Sequence, residues 1–339
     1  MLRPVSNPPP RFAATCLAWE VPPPPATLRV YVDDSKDVLS RNDSPDLGFR
    51  WSVNPYRGCF HACSYCYARP SHEYLGFGAG TDFERLIVVK PEAAQLLEAA
   101  FRGANWKGEV ILFSGNTDCY QPLEAEYALT RACLAVCVKY RQPVSIITKS
   151  TIILRDVDLL TELQRVASAH VVLSIPFMDA ANARAIEPNA PPPKLRLRVV
   201  RALTEAGVPV GVNIAPVIPG LNDRDVPAIL KAARAAGASW ANLIPVRLAE
   251  AVQPVFEARL RETMPGRADG ILARIRRARG GELNEPRFGM RFSASGPEWE
   301  STKMLFDLWH DRLGFVAHPE PARDSFRVPG GGVQVGLFG

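Results

Sequence analysis

The sequence lacks several features that would assign it to a well-known class. It has no apolar run long enough to cross a bilayer, so we do not expect a membrane protein. It shows no basic-then-apolar signal segment at its start, and its seven cysteines are an odd number. A disulfide framework is therefore not expected, and we predict a cytoplasmic protein with reduced thiols. We find no internal repeat, which argues against a solenoid.

Three of the cysteines lie close together in the chain. Cys59, Cys63 and Cys66 are separated by three and then two residues, and no fourth cysteine lies nearby. Three thiolates on one loop can bind three irons of a [4Fe–4S] cluster and leave the fourth iron open to an outside ligand. An iron that is open to an outside ligand can take part in a reaction, so the spacing predicts a reactive iron–sulfur cluster.

A zinc site is the alternative for this loop. The three cysteines with His61 or His72 would make a structural Cys3His site. Zinc ligands of that kind usually come as two separated pairs, and the sequence has no second C-x2-C or H-x3-H pair. The spacing therefore favours the cluster over zinc.

Short apolar runs alternate with longer amphipathic ones after residue 51. Such alternation favours a parallel sheet with crossover helices, either as a barrel or as a doubly wound open sheet. In both cases ligands bind at the carboxyl ends of the strands. We predict a first strand just before Cys59, further strands at 110–113, 144–148, 170–175, 208–217 and 241–246, and helices at 91–102, 124–140, 157–167, 194–206 and 224–236.

Polar residues follow two of the predicted strands. The turn at residues 115–118 comes after the strand at 110–113 and suits either a cofactor's ammonium group or an ordinary capped βα turn. Lys149 ends the next strand, where its ammonium can bind a carboxylate through a charge-assisted hydrogen bond. These strand ends are the predicted ligand-binding edge.

The C-x3-C-x2-C pattern, with Tyr65 directly before its third cysteine, resembles the cluster loop of the radical S-adenosylmethionine (SAM) enzymes. The later strand ends follow that family's order over about residues 51–247. The resemblance implies an α/β fold, a partial (β/α)6 TIM-type barrel at residues 49–250. An extended arm at 1–48 precedes the barrel, a small helical and basic extension at 251–328 follows it, and a glycine-rich tail at 329–339 ends the chain.

The resemblance also implies two cofactors, a [4Fe–4S] cluster and SAM, whose amino and carboxylate groups bind the open iron. From the residues alone, Ser174 would be a structural serine, and Glu187 would form a surface ion pair with Arg184. The implied SAM-site residues are Tyr65 at the cluster, Gly115, Asn116, Thr117 and Asp118 for the amino group, Lys149 for the carboxylate, Ser174 for the ribose or methionine part, Glu187 for the ribose or substrate, and Asn213 and Val217 for the adenine.

Several segments resemble the spore photoproduct lyase-like proteins within that family: the Tyr-Cys-Tyr run at 65–67, the Thr-Asp turn at 117–118, the strand end at 148–150, the Glu-Pro pair at 187–188 and the segment 216–223. The implied activity is reductive cleavage of SAM to a 5′-deoxyadenosyl radical that acts on a nucleic acid lesion or base. The alternatives are a peptide or small-molecule substrate, or a metal-stabilised binding module without turnover. The lyase carries a hydrogen-donating cysteine where this sequence has Gly115, so Cys119 and Tyr120 are our alternative hydrogen donors.

Three partners are expected. The family resemblance implies a one-electron donor of the flavodoxin or ferredoxin type. Nine arginines against five acids at residues 257–291 indicate either a solvated helix face or a phosphate-binding patch for nucleic acid. Gln334, Leu337 and Phe338 resemble the Q-x-x-L-F motif that docks on the sliding clamp, unless this tail folds onto its own domain.

Overall fold

The computed structural model of the protein describes residues 27–319 and 324–329. Cys16 and the predicted clamp-binding residues Gln334, Leu337 and Phe338 therefore lie outside the described residues. Of the predicted arm at 1–48, only residues 27–48 are described. No helix in the described part of the chain is both long and apolar enough to span a membrane.

A seven-stranded sheet forms the centre of the fold. The described part of the chain has ten strands, seven in this sheet and three in a smaller one. In chain order they are β1 (Arg29–Val32), β2 (Leu39–Arg41), β3 (Trp51–Val53), β4 (Tyr56–Arg57), β5 (Leu86–Val89), β6 (Ile111–Phe113), β7 (Val144–Thr148), β8 (Ala169–Ser174), β9 (Val210–Val217) and β10 (Trp240–Pro245). In the large sheet the order is β10-β9-β8-β7-β6-β3-β2. Six of these strands pair in parallel, and β2 is antiparallel to β3 at one edge.

The strand order separates the two predicted architectures. A doubly wound sheet reverses its strand order at a switch point, whereas the six parallel strands here lie side by side in chain order. Six β/α units in sequence are the arrangement of a partial TIM-type barrel. The prediction of an α/β partial (β/α)6 barrel is confirmed.

The helices connect the strands and follow the sheet. They are α1 (Thr81–Arg85), α2 (Ala93–Arg102), α3 (Glu124–Tyr127), α4 (Leu129–Tyr140), α5 (Val157–Val166), α6 (Ala180–Ile186), α7 (Pro193–Glu205), α8 (Val226–Ala235), α9 (Gln253–Thr263), α10 (Ala268–Ala278) and α11 (Pro297–Arg312), with 3-10 helices at Arg69–Leu75, Ile152–Asp156 and Asp223–Asp225. Gly207 and Gly237 follow α7 and α8 with positive φ, as their predicted role as helix stops requires.

The predicted helix at 124–140 is broken in the structure. Ala128 adopts a left-handed conformation (φ +51°) between α3 and α4. The buried carboxylate of Glu124 accepts hydrogen bonds from the backbone N–H groups of Thr130 (3.0 Å) and Arg131 (3.2 Å). Glu124 thus satisfies amides that open α4, and this tertiary cap, invisible to helix propensity, separates the two helices.

Of the two largest apolar clusters, the smaller one includes residues of the cysteine loop. The larger one lies between the sheet and helices α2, α4, α5, α7 and α8. The smaller one joins Cys63 and Tyr65 of the loop to Phe256 of α9 and to Ile271 and Ile275 of α10. Because these helices come after β10, the end of the fold packs against the cysteine loop near its beginning.

Candidate active site

The three cysteines lie on the loop that follows β4, and their thiols are close enough to influence one another. Cys59 and Cys63 are buried, and Cys66 is partly exposed. Burial, the carboxylate of Asp118, and the neighbouring thiols of Cys63 and Cys66 all raise the pKa of Cys59. The Cys63 and Cys66 thiols therefore lie within electrostatic range of Cys59.

The chemistry of this donor set fits a metal cluster. Burial raises the pKa of the Cys63 thiol to about 12, so it ionises only when a cation compensates its charge. Bound iron supplies such a charge, since metal ligation deprotonates thiols. The buried thiols therefore suit a cationic cluster better than they suit free thiolates.

A single zinc ion fits the site poorly. Within the described ranges, no three His, Cys, Asp or Glu side chains converge so as to hold one metal ion. Both histidines considered for a Cys3His site have other contacts. His61 Nδ1 lies 3.3 Å from Asp118 Oδ2, and His72 Nε2 lies 2.9 Å from the carbonyl oxygen of Leu86. This arrangement favours the cluster interpretation over the zinc alternative.

Arg69 holds the cysteine loop from inside the protein. Its side chain is completely buried. Nε and Nη2 donate hydrogen bonds to the carbonyl oxygen of Cys63 at 3.0 and 2.8 Å, and Nη1 donates to the carbonyl oxygens of Ala79 and Gly80 at 3.0 Å each. Glu84 balances its charge, with 2.5 Å between Nη2 and Oε1. The backbone between Cys59 and Cys66 is therefore fixed by one buried guanidinium.

Gly58 and Gln121 define the start of the loop. Gly58 has φ +76°, and a Cβ atom there would lie 2.9 Å from His72 Cε1 and from the carbonyl oxygen of Phe83. The buried Gln121 donates to the Gly58 carbonyl oxygen (3.0 Å) and accepts from the Phe60 N–H (3.0 Å). Only glycine fits this conformation and this space.

The loop is also tied to the segment that follows β8. The Ser64 N–H donates to the Ile186 carbonyl oxygen at 3.0 Å. Asn189 donates from Nδ2 to the Phe60 carbonyl oxygen (2.8 Å) and from its backbone N–H to the His61 carbonyl oxygen (3.3 Å). Residues far apart in the chain thus shape the loop jointly.

The predicted SAM-amino turn, residues 115–118, lies against the cysteine loop. It follows β6 and begins after Ser114, which has φ +73°. Three hydrogen bonds attach it: Tyr67 Oη to the Gly115 carbonyl oxygen (3.0 Å), Asn116 Nδ2 to Ser71 Oγ (3.1 Å) and Thr117 Oγ1 to the Tyr56 carbonyl oxygen (2.7 Å). The turn and the cysteines are therefore brought together, as the prediction requires.

Asp118 connects this turn to β7. Its carboxylate lies 3.3 Å from His61 Nδ1, and it accepts hydrogen bonds from Thr148 Oγ1 (2.7 Å), the Lys149 N–H (2.9 Å) and the Tyr120 N–H (2.9 Å). Burial alone would raise the pKa of Asp118. The hydrogen bonds, with that of His61 first, outweigh it and hold the pKa at about 2. Asp118 thus remains ionised and orients the end of β7.

A charged network surrounds Tyr65. Its hydroxyl donates to Glu187, which also accepts from the guanidinium of Arg196. Lys149 Nζ lies 5.7 Å from the centre of the Tyr65 ring. Burial would lower the pKa of Lys149, but the charges of Cys63 and Glu187 raise it, so this side chain remains an ammonium. The sequence-predicted Tyr65, Lys149 and Glu187 therefore lie together, whereas Arg196 was not predicted.

The predicted ribose and adenine residues lie on β8 and β9. Ser174 and Asn213 are direct neighbours in the sheet register, and both are largely buried. Asn213 Oδ1 accepts from Asn242 Nδ2 at 2.9 Å. Val217 is fully buried, and its carbonyl oxygen accepts from the Val246 N–H. Ser174 and Val217 are the last residues of their strands, whereas Asn213 lies inside β9 beside Ser174. Their contacts with SAM stay predictions.

The two proposed hydrogen donors occupy a different environment. Cys119 and Tyr120 belong to the main apolar core, together with Cys133 and Cys137. Cys119 is 1% exposed, and the fully buried Tyr120 donates its hydroxyl hydrogen bond to Asp156 at 3.0 Å. Both side chains therefore have a packing role in the structure, which gives their predicted hydrogen-donor role no support.

Comparison with known proteins places the chain in a family. The sequence model of the radical SAM superfamily matches residues 53–233. The chain is 38% identical over 204 residues to an uncharacterised protein of Mycobacterium tuberculosis and 33% identical over 176 residues to one of Methanocaldococcus jannaschii. The matched segments cover 60% and 52% of this chain. They span 60% and 63% of those relatives' lengths.

Solved structures show the same fold. Spore photoproduct lyase complexed with dinucleoside spore photoproduct matches with a TM-score of 0.60 and 15% identity, over 84% of this chain and 80% of the lyase chain. A variant of that lyase with bound AdoMet and the dinucleoside matches with the same TM-score over 85% of this chain and 81% of the lyase. At this identity the likeness concerns the fold.

Proposed function

This chain belongs to the radical SAM superfamily, and we propose that it uses S-adenosylmethionine and a [4Fe–4S] cluster to act on a nucleic acid lesion or base. One observation carries the proposal. Three cysteines lie on one loop held by the buried Arg69, within electrostatic range of the partly buried Lys149 ammonium and the ionised Asp118 carboxylate. That combination serves a cluster with an open iron and a zwitterionic ligand.

Cys59, Cys63 and Cys66 would hold the cluster, and its fourth iron would take the amino and carboxylate groups of SAM. Reduced by an external one-electron donor of the flavodoxin or ferredoxin type, a bound cluster would supply the electron that cleaves SAM into methionine and a 5′-deoxyadenosyl radical. The protein's own task is to orient SAM and to keep water away from the reacting atoms.

Lys149 is the residue we assign to the SAM carboxylate. Its ammonium is held at the end of β7, because its backbone N–H is fixed by Asp118. Tyr65 lies between Lys149 and the Glu187–Arg196 pair, so the ammonium has an aromatic wall on one side. An ammonium in this position recognises a carboxylate and carries no proton through the reaction.

The turn at 115–118 and the ends of β8 and β9 form the rest of the SAM site. The backbone N–H of Asn116 donates a hydrogen bond to Asn54 Oδ1 (2.8 Å), which keeps the turn in place beside the loop. The turn would receive the SAM amino group. Ser174, Asn213 and Val217 would contact its ribose, methionine or adenine parts, and Glu187 would reach the ribose indirectly through Tyr65.

Two observations support a nucleic acid as substrate. The fold is similar to that of spore photoproduct lyase, which has been solved with a dinucleoside spore photoproduct. The carboxyl-terminal helices are also rich in arginine beside the site. Gly115 stands where that lyase has its hydrogen-donating cysteine, so the lyase's repair step is not part of the proposal.

Anaerobic reconstitution tests the enzymatic part. We expect a brown protein with about four irons per chain, which releases 5′-deoxyadenosine from SAM when dithionite is added. Cys63→Ala should lose the colour and the product, whereas Cys133→Ala, which removes a buried core thiol, should keep both. A colourless zinc-containing protein, or a brown one that forms no 5′-deoxyadenosine, would contradict the proposal and favour a binding module.

Product analysis tests the substrate class. The reconstituted protein is incubated with SAM and dithionite, and with damaged DNA, undamaged DNA, a peptide mixture or buffer. Formation of 5′-deoxyadenosine that rises with DNA, together with a DNA product detected by mass spectrometry, would support the nucleic acid proposal. A rise with peptides alone would support the alternative substrate class.

We also propose that Gln334, Leu337 and Phe338 dock on the sliding clamp. The support is the Q-x-x-L-F pattern in the sequence, where one amide and two apolar side chains suit a preformed pocket. Retention of the full chain on immobilised clamp should be lost on Leu337→Ala with Phe338→Ala. Equal retention of the unsubstituted chain and of the double variant would contradict this proposal.

A further inference from the structure

A cavity of about 310 Å³ lies between the turn after β9 and helix α10. Three arginines line it, Arg224 from the 3-10 helix before α8, and Arg267 and Arg274 from the α10 region. The only carboxylate among its lining residues is Asp223, whose Oδ1 accepts a hydrogen bond from the Gly220 N–H at 3.1 Å. The cavity therefore carries an excess of positive charge.

The arginines of residues 257–291 divide into paired and unpaired ones. Six of the nine lie within ion-pair distance of a carboxylate, and Arg279 donates to backbone carbonyl groups such as that of Val246. Arg267 and Arg274 remain without a carboxylate partner among the described residues, as does Arg224. The paired arginines are Arg259 with Glu84 and Glu262, Arg261 with Asp269, Arg276 with Glu257, Arg277 with Glu298, Arg287 with Glu285 and Arg291 with Asp46.

Neutral contacts hold two of the cavity's guanidinium groups in position. Arg267 donates from Nη2 to the Gly220 carbonyl oxygen (3.1 Å) and from Nη1 to Asn182 Oδ1 (3.4 Å). Arg274 packs over Gly220, where a Cβ atom would lie 2.6 Å from Arg274 Cδ. Gly220 also has φ +80°, which favours glycine. The turn thus orients both arginines without neutralising them.

Such a site suits a phosphate group. Guanidinium groups bind phosphate oxygens through paired N–H donors, and several arginines around one point are typical of phosphate recognition. The cavity is large enough for a phosphate with an attached sugar and lies at the low end of the range for ligand sites. Arg224 and Arg267 are exposed, so a polymer can approach the cavity from solvent.

The cavity lies beside the candidate active site. Gly220 follows Val217, the last residue of β9, by three positions. Ile271 and Ile275 of α10 pack in the same apolar cluster as Cys63 and Tyr65. The cavity and the cysteine loop therefore share helix α10, whose Ile271 lines the cavity and packs in the apolar cluster of the loop.

We propose that Arg224, Arg267 and Arg274 bind one backbone phosphate of a DNA strand next to the active site, an inference that rests on the proposed function. The site is independent of base identity, because it recognises the phosphate alone. It would anchor the strand so that a neighbouring nucleotide reaches the carboxyl edge of the sheet, beside the cysteine loop.

The test compares two charge-matched variants of the full chain carrying its cluster. Arg224→Gln with Arg274→Gln removes two unpaired arginines. Arg276→Gln with Arg277→Gln removes two paired arginines of the same helix region. Binding of a fluorescent DNA duplex is measured by anisotropy from about 0.05 to about 0.2 M salt. Over this range the affinity of a protein that contacts several phosphates falls steeply.

The site variant should bind DNA about tenfold more weakly, and the slope of log K against log salt should fall by about 0.9, the value for one lost phosphate contact. The control variant should change less than threefold with nearly the same slope. Equal losses in both variants would overturn the proposal. The proposal would also be overturned if the binding of inorganic phosphate depended on Arg274 while the affinity for DNA did not depend on it. The ligand of the cavity would then be a small phosphate.

The proposed function is read out separately. Formation of 5′-deoxyadenosine from SAM without DNA should be the same in the site variant and in the unsubstituted protein. If the unsubstituted protein forms none, the proposed function fails, while the anisotropy comparison still decides whether the arginines bind DNA.

Discussion

Gly115 and Ser52 are packed so closely that a Cβ atom on Gly115 would lie 2.6 Å from the Cβ of Ser52. In protein structures, a Cβ atom essentially never lies less than 3.0 Å from a non-bonded heavy atom. Ser52 lies on β3 and Gly115 follows β6, its parallel neighbour in the sheet, so neither backbone can yield easily. A glycine at position 115 is therefore required by the packing of this protein.

The first prediction concerns that packing. Gly115→Cys should lower the free energy of unfolding by about 1–3 kcal/mol, because the added side chain overpacks the contact with Ser52. Urea unfolding followed by circular dichroism measures the change. Ser52→Gly in the same chain removes the clash and should recover most of the loss. If the double variant is no more stable than Gly115→Cys, the close contact is not the cause.

The second prediction concerns Arg69. Arg69→Met removes the donors to the Cys63, Ala79 and Gly80 carbonyl oxygens and leaves the buried Glu84 without its 2.5 Å partner. Breaking a buried ion pair in this way costs about 3–5 kcal/mol. We expect that loss in unfolding experiments and a lower iron content per chain after reconstitution.

The control for Arg69 is Arg165→Met, because Arg165 is 70% exposed and pairs with Glu162 three residues away. Such surface pairs contribute about 0–1 kcal/mol. Its stability and iron content should be close to those of the unsubstituted protein. Full iron loading of the Arg69→Met chain would show that the loop keeps its shape without the guanidinium.

The third prediction concerns Lys149 and SAM. Lys149→Gln should weaken SAM binding about 10- to 100-fold, since a hydrogen bond to a charged group contributes about 1.5–3 kcal/mol. Equilibrium dialysis with the reconstituted protein measures the affinity. Iron content should stay the same, because Lys149 is not a proposed cluster ligand.

Lys139→Gln is the matched control, since that lysine is half exposed and pairs with Glu98 on the surface. It should leave SAM affinity unchanged. If the two lysine variants bind SAM equally well, the carboxylate of SAM is bound elsewhere.

The fourth prediction concerns pH. His170 lies buried at the start of β8, with Ser168 Oγ at 3.2 Å and the rings of Trp240 and His318 at 5.9 and 5.5 Å. Burial, and then the charge of His318, lower its pKa from 6.5 to about 4. The unfolded chain therefore binds a proton at higher pH than the folded chain. Stability is full above the unfolded pKa and falls as the pH drops towards the folded one.

From about pH 7 to about pH 5 this histidine should cost about 2 kcal/mol of unfolding free energy. Urea unfolding at a series of pH values measures it. His170→Phe cannot take up the proton and should show a smaller slope over the same range, with the remainder due to His318, whose pKa burial also lowers. An equal slope in both chains would assign the pH dependence to other groups.

The fold follows closely from the apolar pattern because parallel strands are buried on both faces. The pattern predicts a strand at 144–148, and β7 occupies the same residues. The single strand predicted just before Cys59 is two short strands, β3 and β4, in the structure. β4 joins β1 and β5, which this pattern does not predict, in a separate small sheet. β4 has only two residues, too few for any periodicity, and its pairing with β5 depends on the conformation of the cysteine loop between them.

The site could be predicted only where it lies on strand ends. Lys149 and Asp118 are recognisable because each follows an apolar strand, and parallel strands end at one edge. Arg69, Arg196 and Gln121 gave no such signal. Each acts through a partner distant in the fold, and an arginine in a helix-like stretch looks the same whether it is exposed or completely buried.

The contacts between the cysteine loop and the segment after β8 have a consequence for how the protein matures. Ser64 and Ile186 are 122 positions apart, and Phe60 and Asn189 are 129 apart. Because a chain is synthesised from its amino terminus, the cysteines emerge from the ribosome long before the residues that shape their loop. Contacts of such long range form late in folding. If the proposed cluster is bound, its insertion therefore has to follow the assembly of more than half of the barrel.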